Sequence, residues 1–348
     1  MSARLYWHPQ ALRGALPPGQ AAGALDSGSD PDALLRVSAA ALIARGCGGP
    51  VLRLDGRWSA LLAALPTLGP LTVCVQHAAL YQVAHGRFER GLLGNAGGYL
   101  LGPGLDLRVF PQHWTHGFAA TDIPADGGAP VRMLAFFGAD GAPLLGLRLG
   151  PDGDTRRFDR LVLRHRHADQ SPRLPAVALR NTPQPGDPLP YPDGPLGGEC
   201  YPLFAAPQPG RLPALAAAGP SLARAVDPTC IACLLRVAAE HRQPLAWLAG
   251  TPGALGGHSA ALLRADRLGG RLRLSGAGFL AELDERAIAQ AWVVHRPEGL
   301  RSRARSTLEL YAADGRLLAA LGAPPRPTDG SECAVWRALL LRLPGLIH

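Results

Sequence analysis

The feature that most constrains this sequence is an internal repeat at half of its length. Met133-Leu-Ala-Phe-Phe-Gly-Ala-Asp-Gly-Ala-Pro-Leu-Leu in the first half returns as Thr307-Leu-Glu-Leu-Tyr-Ala-Ala-Asp-Gly-Arg-Leu-Leu in the second. The two Asp-Gly pairs lie 174 residues apart, which is half of the 348-residue chain. Trp114 and Trp292, upstream of these pairs, are interpreted as a second matching pair. One period this long predicts a tandem domain duplication rather than a solenoid, with the functional site between the copies.

Composition and charge exclude several classes of function. All 35 basic residues are Arg, and the formal net charge is +8. These arginines are scattered and lack interleaved aromatic residues, so we expect no nucleic-acid partner. The apolar runs are far shorter than the roughly 20 residues that span a bilayer, and the N-terminus lacks an apolar signal core, so we expect no membrane insertion. These features predict a cytoplasmic protein with reduced cysteines.

One pair of cysteines is closely spaced, in Cys230-Ile-Ala-Cys233. It follows Asp227-Pro228, which is typical of a helix start. Because no second pair accompanies it, a zinc site or a redox motif is disfavoured. We therefore predict two buried helical thiols.

The order of elements predicts an α+β fold with antiparallel sheet. In each half, helices come first, a series of short strands follows, and a helix ends the unit. Predicted helices cover residues 33–45, 59–64, 155–164, 229–240 and 332–341, and predicted strands include 71–75, 99–101, 105–110, 133–137, 144–149, 245–249, 260–263, 271–274 and 307–311. Asp140-Gly141 and Asp314-Gly315 are predicted to be hairpin turns of the primed type, which require positive φ. The fold class is thus a tandem duplication, each repeat an antiparallel sheet with flanking helices, and a cleft between the repeats.

A proline-rich segment from Ser171 to Pro213 separates the copies. So many prolines cannot supply the backbone donors of a central strand or helix, which indicates an extended connector. The predicted units are therefore residues 1–170, 171–213 and 214–348. Within the connector, Leu196-Gly-Gly-Glu-Cys-Tyr-Pro-Leu-Phe204 has more apolar and aromatic side chains than a linker needs.

Two blocks of the sequence resemble a known family. Gly94-Asn-Ala-Gly-Gly-Tyr-Leu-Leu-Gly-Pro-Gly-Leu-Asp-Leu-Arg-Val-Phe-Pro-Gln-His-Trp114 and Ala287-Ile-Ala-Gln-Ala-Trp-Val-Val-His-Arg-Pro297 are similar to segments of the HemS/ChuS-like haemin-degrading and haemin-transport factors. The resemblance implies two similar domains that hold haem in a cleft between them. It also implies a protein that accepts haem from an uptake system and then relays it or opens its ring to release iron. A haem importer or a haem oxygenase is the implied partner.

Haem requires an apolar slot, cations for its propionates and an axial donor to iron. Arg108 matches the family's arginine in the Leu-Asp-Leu-Arg-Val-Phe block and is the leading candidate for a propionate or distal contact. Because side chains alternate along a strand, Asp106, Arg108 and Phe110 should share one face. The alternative for Arg108 is a surface ion pair with Asp106. Arg211 and the cluster Arg301, Arg303 and Arg305 could pair with propionates, or could only solubilise a loop.

The family's histidines are replaced at both expected positions. Tyr201 stands at one position and Gln82 at the other, so the resemblance does not identify the residue that binds iron. Tyr201 could bind ferric iron as phenolate, or could be a buried anchor without an iron bond. Cys200 is a less favoured thiolate donor. His85 is the reserve ligand, although it faces away from Gln82 unless Gly86 marks a bulge, and His165 and His167 could turn toward the cleft.

The proposed ligation affects the function. Phenolate stabilises Fe(III), so a Tyr-ligated member would favour holding and transferring haem over degrading it. Whether the protein is an enzyme is left open, with the carrier role favoured for haem trafficking and iron acquisition. The alternative is a divergent scaffold or regulatory protein of the same fold that no longer binds haem.

Overall fold

The structure is a computed structural model, and it describes residues 38–77, 79–94, 97–122, 129–174, 210–297, 304–324 and 330–346. The first copy contains helices α1 (Ala39–Ala44), α2 (Trp58–Ala63) and α3 (Thr155–Arg164), and strands β1 (Val51–Arg53), β2 (Leu71–His77), β3 (Leu80–Gly86), β4 (Arg90–Gly94), β5 (Gly97–Gly102), β6 (Leu105–Val109), β7 (His116–Asp122), β8 (Val131–Phe137) and β9 (Pro143–Leu149). The second copy contains α4 (Arg211–Ala217), α5 (Ile231–Glu240) and α6 (Ala334–Leu341), and β10 (Ala223–Val226), β11 (Pro244–Thr251), β12 (Ala254–Leu268), β13 (Arg271–Gly276), β14 (Phe279–Asp284), β15 (Gln290–Arg296), β16 (Arg305–Tyr311) and β17 (Leu317–Gly322).

The duplication is confirmed, and its offset of 174 residues holds through both sets of strands. β7, β8 and β5 coincide residue for residue with β15, β16 and β13 at this offset. β12 is long because it covers the equivalents of both β3 and β4. The matching of Trp114 with Trp292 is wrong: at the shared offset Trp114 corresponds to Ile288, and Trp292 corresponds to Phe118.

The two copies exchange strands, which the sequence did not reveal. One sheet, here called the first sheet, has the order β1-β7-β8-β9-β2-β3-β14-β13-β12, and the other, the second sheet, has the order β10-β15-β16-β17-β11-β12-β6-β5-β4. Each copy therefore extends the sheet of the other with a three-stranded meander. The copies are joined by two antiparallel strand pairings. Glu282 of β14 pairs with Tyr81 of β3 in the first sheet, and Leu255 of β12 pairs with Arg108 of β6 in the second. The α+β class with antiparallel sheet is confirmed.

The core has three parts. The largest cluster fills the space between the inner faces of the two sheets and includes side chains of α2, α3, α5 and α6. A second cluster lies on the outer face of the second sheet beneath α4, through Leu212 and Leu215. A third lies on the outer face of the first sheet beneath α1, through Ala40 and Ala44. β17 is buried along its whole length and reads as a nearly continuous apolar run, so it was not predicted as a strand. The strands β7, β14 and β15 were also not predicted.

The Asp-Gly hairpins differ from the predicted turn type. A two-residue primed turn of type I′ requires positive φ at both central residues, but only Gly141 and Gly315 have it, at 72° and 79°. Each glycine closes a turn back to the carbonyl three residues earlier, and the ladder shifts register beside it. The loop is therefore a longer turn with a glycine bulge, and it recurs in both copies.

Other predictions about local structure have mixed outcomes. The helices predicted at 59–64, 155–164, 229–240 and 332–341 are present within two residues, while the start of the helix predicted at 33–45 lies outside the described residues. The cysteine prediction is wrong, because Cys233 is exposed and Cys230 is half-buried. Among the described residues, no helix combines the length and apolarity that crossing a bilayer requires.

Candidate functional site

A row of side chains crosses the outer face of the second sheet and carries an acidic residue at each end. Cross-strand pairing aligns Asp106 of β6, Gly257 of β12, Leu248 of β11, Ala320 of β17 and Glu309 of β16. Directly paired residues on antiparallel strands point to the same side of a sheet. Four strand spacings separate the two acids, or about 19 Å. Between them lies a floor of small and apolar side chains.

The Asp106 end of the row holds Arg108. Arg108 is completely buried, and its Nε and Nη2 donate to the two carboxylate oxygens of Asp106 at 2.6 and 2.8 Å. Its guanidinium also lies over the ring of Tyr99, 5.3 Å from the ring centre, on the neighbouring strand. The predicted sharing of a face by Asp106 and Arg108 is confirmed. The pair is buried rather than at the surface, and its formal charge is zero.

The Glu309 end is a denser cluster. The Glu309 carboxylate is fully buried, and Arg211 Nη2 donates to both of its oxygens at 2.9 Å. Arg296 Nη2 lies 3.2 Å from one oxygen, and the Tyr311 hydroxyl donates to the other. Burial and the neighbouring carboxylate together raise the pKa of Tyr311, so it stays a protonated donor. Glu309 and the two arginines sum to a formal charge of +1.

Arg211 links this cluster to α4. It is the first residue of that helix, and its Nε also lies 3.3 Å from the Tyr311 hydroxyl. Burial alone would lower the pKa of Arg211, but the Glu309 carboxylate more than offsets it, and the pKa is raised. The guanidinium stays about a quarter exposed at the edge of the cluster. It is thus both a tether for α4 and an accessible cation.

The equivalent row on the first sheet has no charge. At the same offset it reads Leu280, Val83, Cys74, Gly146 and Ala135. Glu282 stands where the second sheet has Arg108. The first sheet has a buried arginine of its own, Arg53, two strands beyond Ala135 in this row and paired with Asp169. What distinguishes the second sheet is an apolar row with a buried arginine–carboxylate group at each end. The outer face of the second sheet is therefore the candidate functional site.

Gln82 lies away from this face. It is on the inner face of β3, where its amide donates to the Gly256 carbonyl at 2.9 Å. Its carbonyl oxygen accepts from Trp247 Nε1 at 2.9 Å. Both polar ends of Gln82 are occupied, and the side chain joins the first copy to the second.

His85 is also on another surface. β3 pairs with β2 in continuous register through Gly86, so the bulge considered for that position is not found. His85 therefore faces away from Gln82, on the outer side of the first sheet, and its Nδ1 lies 2.8 Å from Thr72 Oγ1. Burial and the nearby Arg148 lower the pKa of His85. Of the predicted site residues that the structure describes, Arg108, Arg211 and Arg305 belong to the outer face of the second sheet, with Arg305 on β16 four residues before Glu309 and paired with Arg296.

The other candidates divide into two groups. Tyr201, Cys200, Arg301 and Arg303 lie outside the described residues, and Arg305 is the partly buried first residue of β16. His165 is buried against Asp55, with its Nδ1 3.3 Å from the carboxylate. His167 accepts a hydrogen bond from the backbone of Asp169 at 2.9 Å. Both histidines are held at the end of α3 and do not reach the candidate site.

Sequence reasoning missed Arg296, Glu309 and Tyr311. A signal for Glu309 was present in the repeat itself, because it aligns with Ala135 and Tyr311 aligns with Phe137. Polar residues replacing apolar ones at matched buried positions mark where the second copy diverged. Arg296 had no such signal, since its equivalent Asp122 is also charged.

Comparison with known proteins agrees with this architecture. The family model described as the haemin-degrading HemS.ChuX domain matches residues 36–165 and 209–343. The hemin transport protein HmuS of Yersinia pestis is 26% identical over 324 residues, which cover 89% of this chain and 90% of HmuS. The crystal structure of holo-PhuS, a heme-binding protein from Pseudomonas aeruginosa, superposes with a TM-score of 0.76 at 25% identity, covering 99% of both chains. The heme degrading enzyme ChuS of Escherichia coli O157:H7 has the same fold, with a TM-score of 0.71 at 22% identity over 94% of this chain and 97% of ChuS.

Proposed function

Because the chain belongs to the family of the haemin-degrading HemS/ChuX domain, we propose that it binds one haem on the outer face of the second sheet. The proposed role is intracellular haem trafficking for iron acquisition. HmuS is a hemin transport protein and PhuS a heme-binding protein, and both match nearly the whole chain. The site is composite, since Arg108 comes from the first copy and Arg211 from the second.

The observation that carries the proposal is the row from Asp106 to Glu309. Haem is a flat apolar disc with two carboxylates at one edge. The row has an apolar floor of Gly257, Leu248 and Ala320, with arginines at both ends. Leu248 and Ala320 are buried in the cluster beneath α4, so haem binding on this floor requires α4 to be displaced. The equivalent row on the first sheet lacks those arginines, so the proposal is for one haem and not two.

Charge favours one orientation of the haem. The Arg108–Asp106 pair is neutral, whereas Arg211, Arg296 and Glu309 together carry +1. Two propionates are therefore better accommodated at the Arg211 end, where the guanidiniums are also partly accessible. Arg108, completely buried and held by Asp106 over Tyr99, forms the neutral end of the row.

Tyr201 is the proposed iron-side residue. It stands where the family places a histidine, and a phenolate donor suits ferric iron. A tyrosine has an ordinary pKa of about 10, so a neighbouring cation is required to hold it as phenolate. This ligation supports a carrier that stores Fe(III) haem and passes it to a haem oxygenase, or that accepts it from an importer.

The arginine assignment is tested with a matched pair of variants. Arg211→Ala removes the proposed propionate cation, whereas Arg148→Ala removes an arginine from β9 of the first sheet. Charge-assisted hydrogen bonds contribute about 1.5–3 kcal/mol, so haemin affinity should fall at least about tenfold in Arg211→Ala. It should be unchanged in Arg148→Ala. Equal affinities in both variants, with circular dichroism showing both folded, would reject the proposed site.

The carrier role has a separate test. Haem-loaded protein is given a reductant in the presence of catalase, and the Soret band is followed. Retention of the band supports transport, and conversion to an open tetrapyrrole contradicts it. Tyr201→Phe should shift the ferric absorbance spectrum if the phenolate binds iron, and an unchanged spectrum excludes Tyr201 as ligand.

One observation favours a second candidate function. Arg108 and Arg211 are each already paired with a carboxylate, as they would be in a scaffold or regulatory protein of this fold. Such a protein should show no saturable haemin binding. A Soret shift that saturates excludes this alternative.

A further inference from the structure

The Cys230–Cys233 pair is placed at the surface, at the start of a helix. Cys230 is the N-cap residue of α5 and is half-buried, and Cys233 is in the first turn and exposed. The equivalents in the first copy are Gly56 and Ser59, so the pair is particular to the second copy. It lies outside the candidate haem site and has no role in the function proposed above.

Helix geometry brings the two thiols within bonding range. Residues three apart on a helix have Cα atoms about 5 Å apart, on the same side. Disulfides form between Cα atoms roughly 4.4–6.8 Å apart. No change of helical backbone is therefore needed to connect Cys230 and Cys233.

Cys233 has a basic side chain beside it. Arg236 Nη2 lies 3.9 Å from its sulfur, one helical turn along. The nearby Asp227 carboxylate accepts hydrogen bonds from both the backbone and the hydroxyl of Thr229, at 2.9 and 2.8 Å.

The remaining described cysteines are poorer reaction sites. Cys74 is buried, and burial raises its pKa to about 12. Burial also raises the pKa of Cys47. Cys333 contacts the Gln243 amide nitrogen at 3.2 Å and has no second thiol near it in sequence. Oxidation should therefore be selective for the pair.

We propose that Cys230 and Cys233 form a reversible two-electron oxidation site for hydroperoxides. The Cys233 thiolate attacks one peroxide oxygen, the O–O bond breaks, and the products are a sulfenic acid and, after protonation, water from hydrogen peroxide or an alcohol from an organic hydroperoxide. The Cys230 sulfur then attacks the Cys233 sulfur, a second water leaves, and an S–S bond replaces the two S–H bonds. The two electrons lost by the thiols reduce the peroxide, and a dithiol reductant restores the starting state by thiol–disulfide exchange.

Intact mass spectrometry of the full chain tests the proposal. After treatment with stoichiometric hydrogen peroxide, the chain should lose two hydrogens, with one internal link mapped to the peptide containing both cysteines. Dithiothreitol should reverse the change. Cys230→Ser and Cys233→Ser should each abolish the internal link, whereas the control Cys333→Ser should retain it.

Three outcomes would overturn the proposal. One is a disulfide between two chains through Cys233, and another is direct overoxidation of Cys233 to sulfinic acid with no internal link. The third is oxidation spread equally over Cys47 and Cys333. Because the readout is a mass change in wild-type protein without haem, failure here is independent of the haem proposal.

Discussion

Replacing Gln82 with Leu should destabilise the protein by removing a bridge between the copies. The side chain is 2% exposed and contacts Trp247 Nε1 and the Gly256 carbonyl, both buried. Leu is of similar size, so little cavity is expected. The orphaned indole N–H costs about 1–3 kcal/mol. The carbonyl, in a central strand, adds up to about 1 kcal/mol, and the expected total loss is about 1–4 kcal/mol.

A double-mutant cycle isolates the contact from general damage to the core. Trp247→Phe removes the same hydrogen bond from the other side, and the combined variant removes both partners. Coupling between Gln82→Leu and Trp247→Phe should be about 1–2 kcal/mol, because an orphaned group is worse than an absent pair.

The assay is urea unfolding followed by far-ultraviolet circular dichroism, with free energies taken from midpoint and slope. Because the copies exchange strands, a single transition is expected. A loss below about 0.5 kcal/mol in Gln82→Leu, or no coupling in the cycle, would refute the bridge. If Gln82→Leu lowered haemin affinity without lowering the free energy of unfolding, Gln82 would instead belong to the haem site.

Three further perturbations have expected results. Burial and Arg316 hold the pKa of His77 at about 4 in the folded protein, against 6.5 in the unfolded chain. As the pH falls from 6.5 to 4, the unfolded chain therefore binds a proton at His77 before the folded protein does, and the free energy of unfolding decreases. His77→Asn should remove up to about 2 kcal/mol of that drop by pH 4.5 in urea titrations, and identical pH profiles would contradict it. Gly141→Ala should lower the melting temperature, because φ is +72° and a Cβ would lie 2.2 Å from Ser38 Oγ; an unchanged melting temperature would contradict the turn geometry. Glu309→Gln should tighten haemin binding by freeing Arg211 and Arg296 from a competing carboxylate, and weakened binding in folded protein would oppose the proposed orientation.

The sequence was sufficient for the duplication and the fold class because both depend on local patterns. Helix boundaries depend on short segments of sequence, and the matched Asp-Gly turns recur at one offset of 174 residues. The exchange of strands could not be predicted in this way. It depends on ladders between β3 and β14 and between β6 and β12, whose partners are far apart in the chain. Alternation along a strand predicts the face on which each side chain lies, but it does not predict which strand of the other copy pairs with it.

The candidate site was predictable only in part, for similar reasons. The resemblance selected Arg108, and Arg211 was a candidate cation for the propionates; the two do share a face. It did not reveal that each is paired with a buried carboxylate, since Glu309 contacts Arg211 across 98 residues of chain. Gln82 and His85 looked like site residues because they lie near a family motif position. The register of β3 sends Gln82 to the inner face and His85 to the outer face of the first sheet, and neither face is the candidate site.

The cysteine pair shows the limit of composition arguments. Cysteine is among the most buried residue types, which led to the prediction of two buried thiols. Their exposure follows from which side of α5 packs on the sheets, through Ile231, Leu234 and Leu235. That orientation is set by tertiary packing, and the Cys-x-x-Cys spacing does not contain it.

The central claim is that the duplicated fold has one haem site, on the second sheet. The most direct test is a haemin titration of the wild-type chain followed by absorbance in the Soret region, with the protein concentration known independently. The account predicts saturable binding that ends at one equivalent. Two equivalents would mean that the uncharged row of the first sheet also binds haem, and an unsaturable rise would mean that this chain keeps the family fold without the proposed function.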